Sequence, residues 1–411
     1  MSDPLSATAD GDRPAILTRD RVVPFSAAGH VEPPRALVAQ PEVASILAIY
    51  AALDANLPIA PLHPHLAPSE LARQQSLVDD ATFADDDALV LFTSGSTGTA
   101  RGIVHTRTSI LAAARASEHR LSWFPDDRWL LCLPLAHAGG LSIVVRCLTA
   151  RMPIVLHEGD FDAAAIRALI ADHRVTLASL VPTQLVALLD EPSWRPPAHL
   201  RTVLLGGAAA PPALIARALA RGVPVHQTYG LTETFGQVAT ACEPGGPLVP
   251  LEGVELAGSP LRIRGEMLAA RYLDGAPIAP EFTTADLAEL GEAAAPGDPR
   301  ATLRILGQAD DVIITGGENV HPAEVEAVLA TTPGVRTACV FGIADARWGQ
   351  IVAAALATAD GFDRAAATAH WQTLLPPHAR PRRLAVMREL PQLPNGKLDR
   401  RAIAALATEP A

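Results

Sequence analysis

Leu89-Val-Leu-Phe-Thr-Ser-Gly-Ser-Thr-Gly-Thr-Ala-Arg-Gly102 is the stretch on which the reading of this chain turns. Its first four residues, Leu89 to Phe92, have the length and apolar continuity of a short buried strand. A loop of Thr, Ser, Gly, Ala and one Arg follows. Such a loop is dense in backbone N–H groups and hydroxyls, and its glycines let the main chain approach a ligand closely, which suits phosphate. By itself the run also fits a flexible Ser/Gly turn. No Gly-Lys-[Ser/Thr] follows the glycines, so this is not the loop of nucleotide kinases. Cationic help has to come from elsewhere.

The 411 residues suggest two or three domains, and 49% hydrophobic composition marks a globular chain. A net charge of −11 argues against nucleic acid as a partner and leaves any anionic ligand dependent on local groups. Cys132, Cys147, Cys242 and Cys339 are widely spaced, which fits core packing in a reducing, cytoplasmic compartment. Met1-Ser-Asp-Pro lacks the charged head and apolar segment of an export signal. The most apolar window, Trp129 to Ala150, is interrupted by Pro134, His137, Gly139-Gly140 and Arg146, so a buried strand–loop–helix is expected there and no membrane span. Of the 33 basic residues a single one, Lys397, is lysine. Arginine cannot replace a compact, mobile ammonium at a reacting centre, so Lys397 is a candidate catalytic group.

Helical spacing runs through Val43, Ile46, Leu47, Tyr50 and Leu53, and a hairpin is expected near Ala15 to Pro24. After the opening loop, apolar strand runs and helical patterns alternate with short links as far as Val223 to Gln227. Repeated βα units of this kind predict an α/β fold with a doubly wound parallel sheet and ligands at the carboxyl ends of its strands. The opening loop, Gly206-Gly207-Ala208 and Tyr229-Gly-Leu-Thr-Glu-Thr234 are all expected at such ends. From Gly253 short strands and turns suggest a small β-rich layer. From Asp310 the texture becomes α+β, giving domains at 1–309 and 310–411, the second read as a mobile lid carrying Lys397.

In order along the chain stand Phe92-Thr-Ser-Gly-Ser-Thr-Gly-Thr-Ala-Arg-Gly102, Gly206-Gly-Ala208, Tyr229-Gly-Leu-Thr-Glu-Thr234, Phe282-Thr-Thr-Ala-Asp286, Gly307-Gln-Ala-Asp-Asp311, Gly316-Gly-Glu-Asn319 and Pro394-Asn-Gly-Lys397. Each is weak alone. Together, from about Pro41 to Ala402, they resemble the adenylate-forming superfamily of acyl-CoA synthetases and adenylation domains. The resemblance implies joining a carboxylate to the α-phosphate of ATP with loss of pyrophosphate, then displacement of AMP by a thiol such as that of CoA. It places Thr93, Ser94, Gly95, Ser96, Thr97, Gly98 and Arg101 around the β- and γ-phosphates, with Thr232 on the α-phosphate. Glu233 is implied as the acid that helps hold Mg²⁺, a hard cation suited to a carboxylate plus phosphate oxygens. Gly206, Gly207, Ala208, Tyr229 and Gly230 fall around the adenine, Asp286 on the ribose hydroxyls, and Lys397 between the carboxylate and the α-phosphate. Asp310 matches the hinge between two domain orientations, and the Gly316-Gly317-Glu318 loop approaches the thiol in the second.

There are departures. Arg101 stands where lysine is usual, Gln308 where an arginine near the ribose is usual, and Ala285 where a glycine is usual. The stretch before the opening loop is short.

Leu135-Ala-His-Ala-Gly-Gly-Leu-Ser-Ile-Val-Val-Arg146 and Ser179-Leu-Val-Pro-Thr-Gln-Leu185 are similar to the o-succinylbenzoate–CoA ligases of menaquinone synthesis. That substrate is an aromatic dicarboxylate, so the pocket needs a cation or several donors for its spectator carboxylate. Arg146, Ser179, Thr183 and Gln184 are candidates, with His137 shaping the pocket entrance. Three alternatives stay open: another aryl- or acyl-CoA ligase, a stand-alone adenylation enzyme loading a carrier protein, and a homologue that binds without turnover. The expected partners are small molecules, without nucleic acid or membrane, and a homodimer is allowed.

Overall fold

The computed structural model of the chain describes residues 3–93, 100–293, 301–393 and 398–408. Its largest feature is a sheet that, among the described residues, has eleven strands. Pro14–Leu17, Ile154–Leu156, Trp129–Leu131, Leu177–Leu180, Thr202–Leu205 and Val225–Leu231 run parallel, in that spatial order. These strands are continuous apolar runs, as sheets covered on both faces require, and nearly every residue in them up to Leu205 is buried. The helices Val43–Asp54, Arg107–Leu121 and Ala138–Ala150 share one core. Ala163–Asp172, Pro182–Leu189 and Pro212–Ala220 pack into another. The doubly wound α/β expectation is therefore met.

The strand order reverses at one place. From Trp129–Leu131 the chain crosses to Ile154–Leu156 on one side, then returns to Leu177–Leu180 on the other. Crevices at such switch points, outside the carboxyl ends of the strands, are where open α/β sheets bind ligands. The loop after Leu131 leads to His137 and the loop after Leu180 leads to Gln184, so the topology brings the two acyl-pocket motifs together.

Two expectations need correction. The strand before the opening loop, Asp87–Thr93, is not part of the parallel sheet. It pairs antiparallel with Arg101–Thr106, Thr93 opposite Arg101, in a separate three-stranded sheet completed by Arg271–Tyr272. The loop therefore joins a hairpin, and residues 94–99 lie outside the described residues. Second, the region after Gly253 does more than form a small layer. Glu255–Ala257, Arg262–Arg264 and Glu281–Thr283 do make one, but Asp286–Ala293 and Ala301–Gln308 extend the main sheet antiparallel.

The C-terminal portion is α+β as expected. Val335–Asp345, Gly349–Thr358, Ile313–Thr315 and Glu318–Val320 form its sheet with Arg383–Met387 alongside, and Pro322–Leu329 and Arg364–Leu374 cover one face. Two helices had no clear signal. Pro68–Asp79 fully buries only Gln74 and Val78 and leaves Leu77 exposed, while Arg400–Thr408 caps the other face through Ile403. Among the described residues no helix is long and apolar enough to cross a membrane.

Candidate active site

The Tyr229-to-Thr234 motif bends away from the end of strand Val225–Leu231 into a single turn, Thr232–Thr234. The Thr234 hydroxyl locks that turn by sharing its one proton between the carbonyls of Leu231 and Gly236, at 3.1 and 2.9 Å, and accepting from the Leu231 amide at 3.1 Å. Gly230 is required there, since an added Cβ would lie 1.5 Å from the Gly236 carbonyl oxygen. The turn presents Thr232 and Glu233 side by side.

His105 holds the turn from the neighbouring sheet. It is fully buried on strand Arg101–Thr106, and its Nε2–H donates to the Thr232 carbonyl at 2.8 Å. The carbonyl can only accept, so the proton sits on Nε2, and Nδ1 has no hydrogen-bond partner among the described residues. Burial pushes this imidazole down from 6.5 to about 4. A native pKa below the unfolded one means that the unfolded chain binds more protons as pH falls. The stabilisation is complete above pH 6.5 and is lost toward pH 4. We expect this single group to remove about 2 kcal/mol of unfolding free energy between pH 7 and pH 5. Urea denaturation at the two pH values checks it: His105→Gln should flatten the difference, and an unchanged difference would mean another group is responsible.

Around Glu233 lie a cation and a ring. The Arg101 guanidinium is stacked 3.6 Å from the centroid of Tyr272 and paired with Asp274 at 3.1 Å. The Tyr272 hydroxyl is pushed up first by burial, then by the charge of Glu233, while Arg101 opposes the shift. Tyr272 therefore feels both the acid and the guanidinium. A planar guanidinium stacks on an aromatic face as an ammonium does not, which gives the arginine at this position a physical reason.

Tyr229 and Asp286 are joined. The tyrosine hydroxyl donates to Asp286 Oδ2 at 2.6 Å, and burial followed by the Asp286 charge raises its pKa well above the usual phenol value. Asp286 is buried and stands opposite Gln308 in the antiparallel ladder. The residue noted as a departure near the ribose is thus adjacent to the expected ribose ligand. Gly206, Gly207 and Ala208 follow strand Thr202–Leu205, Gly207 with φ +77°. Among the described residues no group of three or more His, Cys, Asp or Glu is placed to hold a metal ion.

At the switch point, Arg146 is 3% exposed on helix Ala138–Ala150, 5.4 Å from the Trp129 ring centroid, and its Nη2 faces Gly236. Burial lowers its pKa to about 10, so it stays charged at neutral pH. No ion pair joins it to a described carboxylate, and the neighbouring Cys147 thiol is itself held uncharged by burial. Trp129 Nε1–H donates to Ser179 Oγ at 3.1 Å, which leaves the serine proton to donate. Gln184 is partly committed within the fold, with one N–H of its amide left to donate. Its oxygen accepts from the Val181 amide at 3.1 Å and its nitrogen donates to the Cys132 carbonyl at 3.2 Å, so the amide ties the two switch-point loops together. Thr183, half-buried, is the second residue of the helix Pro182–Leu189 beside it. His137 precedes helix Ala138–Ala150 and packs on His63, ring centroids 5.3 Å apart.

In the C-terminal portion, Gly316 and Gly317 (φ +62° and +88°) close a two-residue hairpin between Thr315 and Glu318. Positive φ at both positions is what a primed turn demands. Asp310 is exposed in the turn Ala309–Asp311 that leaves the main sheet. Lys397 lies outside the described residues, but its flanks do not. Gln392 and Leu398 form an antiparallel bridge, and Arg400 binds Glu326 through both guanidinium nitrogens at 2.6 and 3.0 Å. His105 and Arg400, both positioning groups, escaped the reading of the sequence.

Residues 76–268 match the family described as AMP-binding enzyme, and residues 324–397 match the AMP-binding enzyme C-terminal domain. The chain is 39% identical over 339 residues to a probable 2-succinylbenzoate–CoA ligase of Mycobacterium tuberculosis, covering 78% of this chain and 84% of that one. Among solved structures it resembles o-succinylbenzoate CoA synthetase (MenE) from Bacillus subtilis in complex with the acyl-adenylate intermediate OSB-AMP, at TM-score 0.83 and 27% identity over 98% of this chain and 97% of that one. The same protein in complex with ATP and magnesium ion is matched at TM-score 0.81 and 26% identity, over 98% and 99%.

Proposed function

The chain belongs to the AMP-binding enzyme family, and from that premise we propose that it is the AMP-forming ligase that joins 2-succinylbenzoate to CoA. The observation that carries the substrate is Arg146, a buried guanidinium at the switch-point crevice with no described carboxylate paired to it. An aromatic dicarboxylate supplies the missing partner: one carboxylate reacts, and the other rests on Arg146 with the Ser179 hydroxyl as a second donor. Thr183 lines the same crevice, Gln184 and His137 shape it, and the identities with named relatives support the same substrate.

In the first step a substrate carboxylate oxygen attacks the α-phosphorus of ATP, and the bond to the bridging oxygen of pyrophosphate breaks. Two anions meet, so the protein contributes mostly positioning and charge neutralisation. Thr232 donates to the α-phosphate, Arg101 with Thr93 and residues 94–98 grips the departing phosphates, and Lys397 bridges the reacting oxygens. Mg²⁺, for which the Glu233 carboxylate beside Thr232 is a fitting donor, supplies further neutralisation of phosphate charge when bound. Asp286, held by Tyr229, keeps one oxygen for the ribose hydroxyls, with Gly206, Gly207, Ala208 and Gly230 around the base. In the second step the CoA thiolate attacks the acyl carbon, a C–S bond forms, and AMP leaves. A turn about Asp310 brings the Gly316-Gly317-Glu318 hairpin to the thiol and withdraws Lys397. On this reading residues 1–309 and 310–411 are the two moving bodies.

Thioester formation tests the proposal. With ATP and CoA the purified chain should convert 2-succinylbenzoate at least about 100-fold more efficiently than benzoate or succinate, each of which lacks part of the recognised diacid. Transfer to a carrier protein but not to CoA would contradict it.

A further inference from the structure

Opposite the catalytic edge, where the parallel strands begin, the molecule holds a cavity of about 420 Å³. Its walls are the segments that lead into the strands. Arg13 precedes Pro14–Leu17, Arg128 precedes Trp129–Leu131, Arg174 stands three residues before Leu177–Leu180, and His199 three before Thr202–Leu205. The candidate active site uses the other ends of these same strands. Strands of three or four residues, at about 3.3 Å each, separate the two by roughly 10 Å or more.

The charge of the lining is uneven. Arg13, Arg128, Arg174 and His199 face Asp126 and Asp127. Asp127 is already neutralised from behind: Arg201 Nε donates to it at 3.1 Å, the Thr176 hydroxyl at 2.7 Å and the Phe124 amide at 2.8 Å. Arg128 has one nitrogen committed to the His173 carbonyl at 2.8 Å, and the rest of its fork remains. The side chains of Arg13 and Arg174 have no hydrogen-bond or ion-pair partner among the described residues, and neither does Asp126. Three guanidiniums therefore meet one unneutralised carboxylate, beside a His199 whose Nε2–H is taken by the Ile170 carbonyl at 2.9 Å, on a chain whose net charge is −11. The general field of the protein does not gather anions here; the local cluster does.

We propose that this cavity is a second, non-catalytic binding site for a small multivalent oxyanion. Guanidinium forks match the geometry of carboxylate and phosphoryl groups and bind them through paired hydrogen bonds. A volume of about 420 Å³ falls within the roughly 300–1,000 Å³ typical of small-molecule sites. Its place at the amino ends of the strands keeps it clear of the nucleotide, so both ligands can be held at once.

Calorimetric titration of the full chain with citrate and with inorganic tripolyphosphate tests the site, in saturating α,β-methylene-ATP so that the catalytic centre is filled, and without Mg²⁺, which both anions chelate. One anion per chain should bind with a Kd below about 1 mM at low ionic strength, and weaken as salt is added. Citrate alone would assign the site to polycarboxylates, tripolyphosphate alone to phosphoryl compounds, and both to the shared chemistry. Joint Arg13→Ala and Arg174→Ala substitution should weaken binding at least about tenfold. Asp126→Asn should tighten it about threefold or more by removing the opposing charge, a gain that structural damage would not produce. Absence of saturable binding by either anion would overturn the proposal, as would unchanged affinity in either variant.

Discussion

Replacing Lys397 by alanine is expected to abolish adenylation while sparing the transfer of a preformed acyl group. The first step brings a carboxylate against a polyphosphate, and negative charge accumulates between the reacting oxygens. A compact ammonium placed there stabilises the transition state more than the separated reactants, and removal of one such group costs about 10²–10³-fold in rate. The loss here should lie at or above the upper end, because the only neighbouring cation of the phosphate motif, Arg101, is stacked on Tyr272 and paired with Asp274. Thioester formation from supplied acyl-adenylate and CoA should stay within about threefold of wild type if, as proposed, a turn about Asp310 withdraws Lys397 in that step. Rapid-quench assays of each half-reaction separate the two. Equal loss in both would mean that Lys397 supports the fold or the binding of AMP. The nearby Arg400 pair with Glu326 makes a useful contrast: Arg400→Ala disturbs the anchoring of the segment and should impair both steps.

The second large effect is expected at Arg146. Arg146→Leu should lower kcat/KM for 2-succinylbenzoate by about 100-fold or more, the magnitude of truncating one partner of a buried charge pair. The same variant should treat a monoacid analogue without the spectator carboxylate almost as wild type does. Its stability should hold or rise, because a guanidinium 3% exposed and without a described carboxylate is costly to bury in the free protein. A structural arginine would behave in the opposite way, destabilising the fold and slowing both acids alike. Arg146→Lys should fall between, keeping the charge but losing the fork that engages both carboxylate oxygens.

What the sequence made legible was local chemistry that repeats in a fixed pattern. The apolar runs at Trp129, Ile154 and Leu177 predicted parallel strands, and they lie side by side. Arg146 stood out as the charge in an otherwise apolar helix, and it is buried. Gln184 carried a signal that was passed over. A Gln two residues after the Pro182 that opens a helix is well placed to reach back to the preceding amide, and it does so, reaching the Val181 amide and also the Cys132 carbonyl. His105 carried none, since a histidine inside Ile103-Val104-His105 reads as part of the strand and its partner, the Thr232 carbonyl, is 127 positions away. The antiparallel return of Arg101–Thr106 onto Asp87–Thr93 was likewise hidden. Strand-and-loop composition does not tell whether the next strand returns antiparallel or crosses over after a helix.

Selection of a diacid is proposed to rest on Arg146, which receives the spectator carboxylate in the switch-point crevice. ATP–pyrophosphate exchange measured with 2-succinylbenzoate and with the monoacid analogue tests it most directly, because it reports adenylation alone. The predicted result is a preference for the diacid of about 100-fold in wild type that shrinks to within about threefold in Arg146→Leu. Exchange that does not distinguish the two acids in wild type, or a preference that survives the substitution, would contradict it.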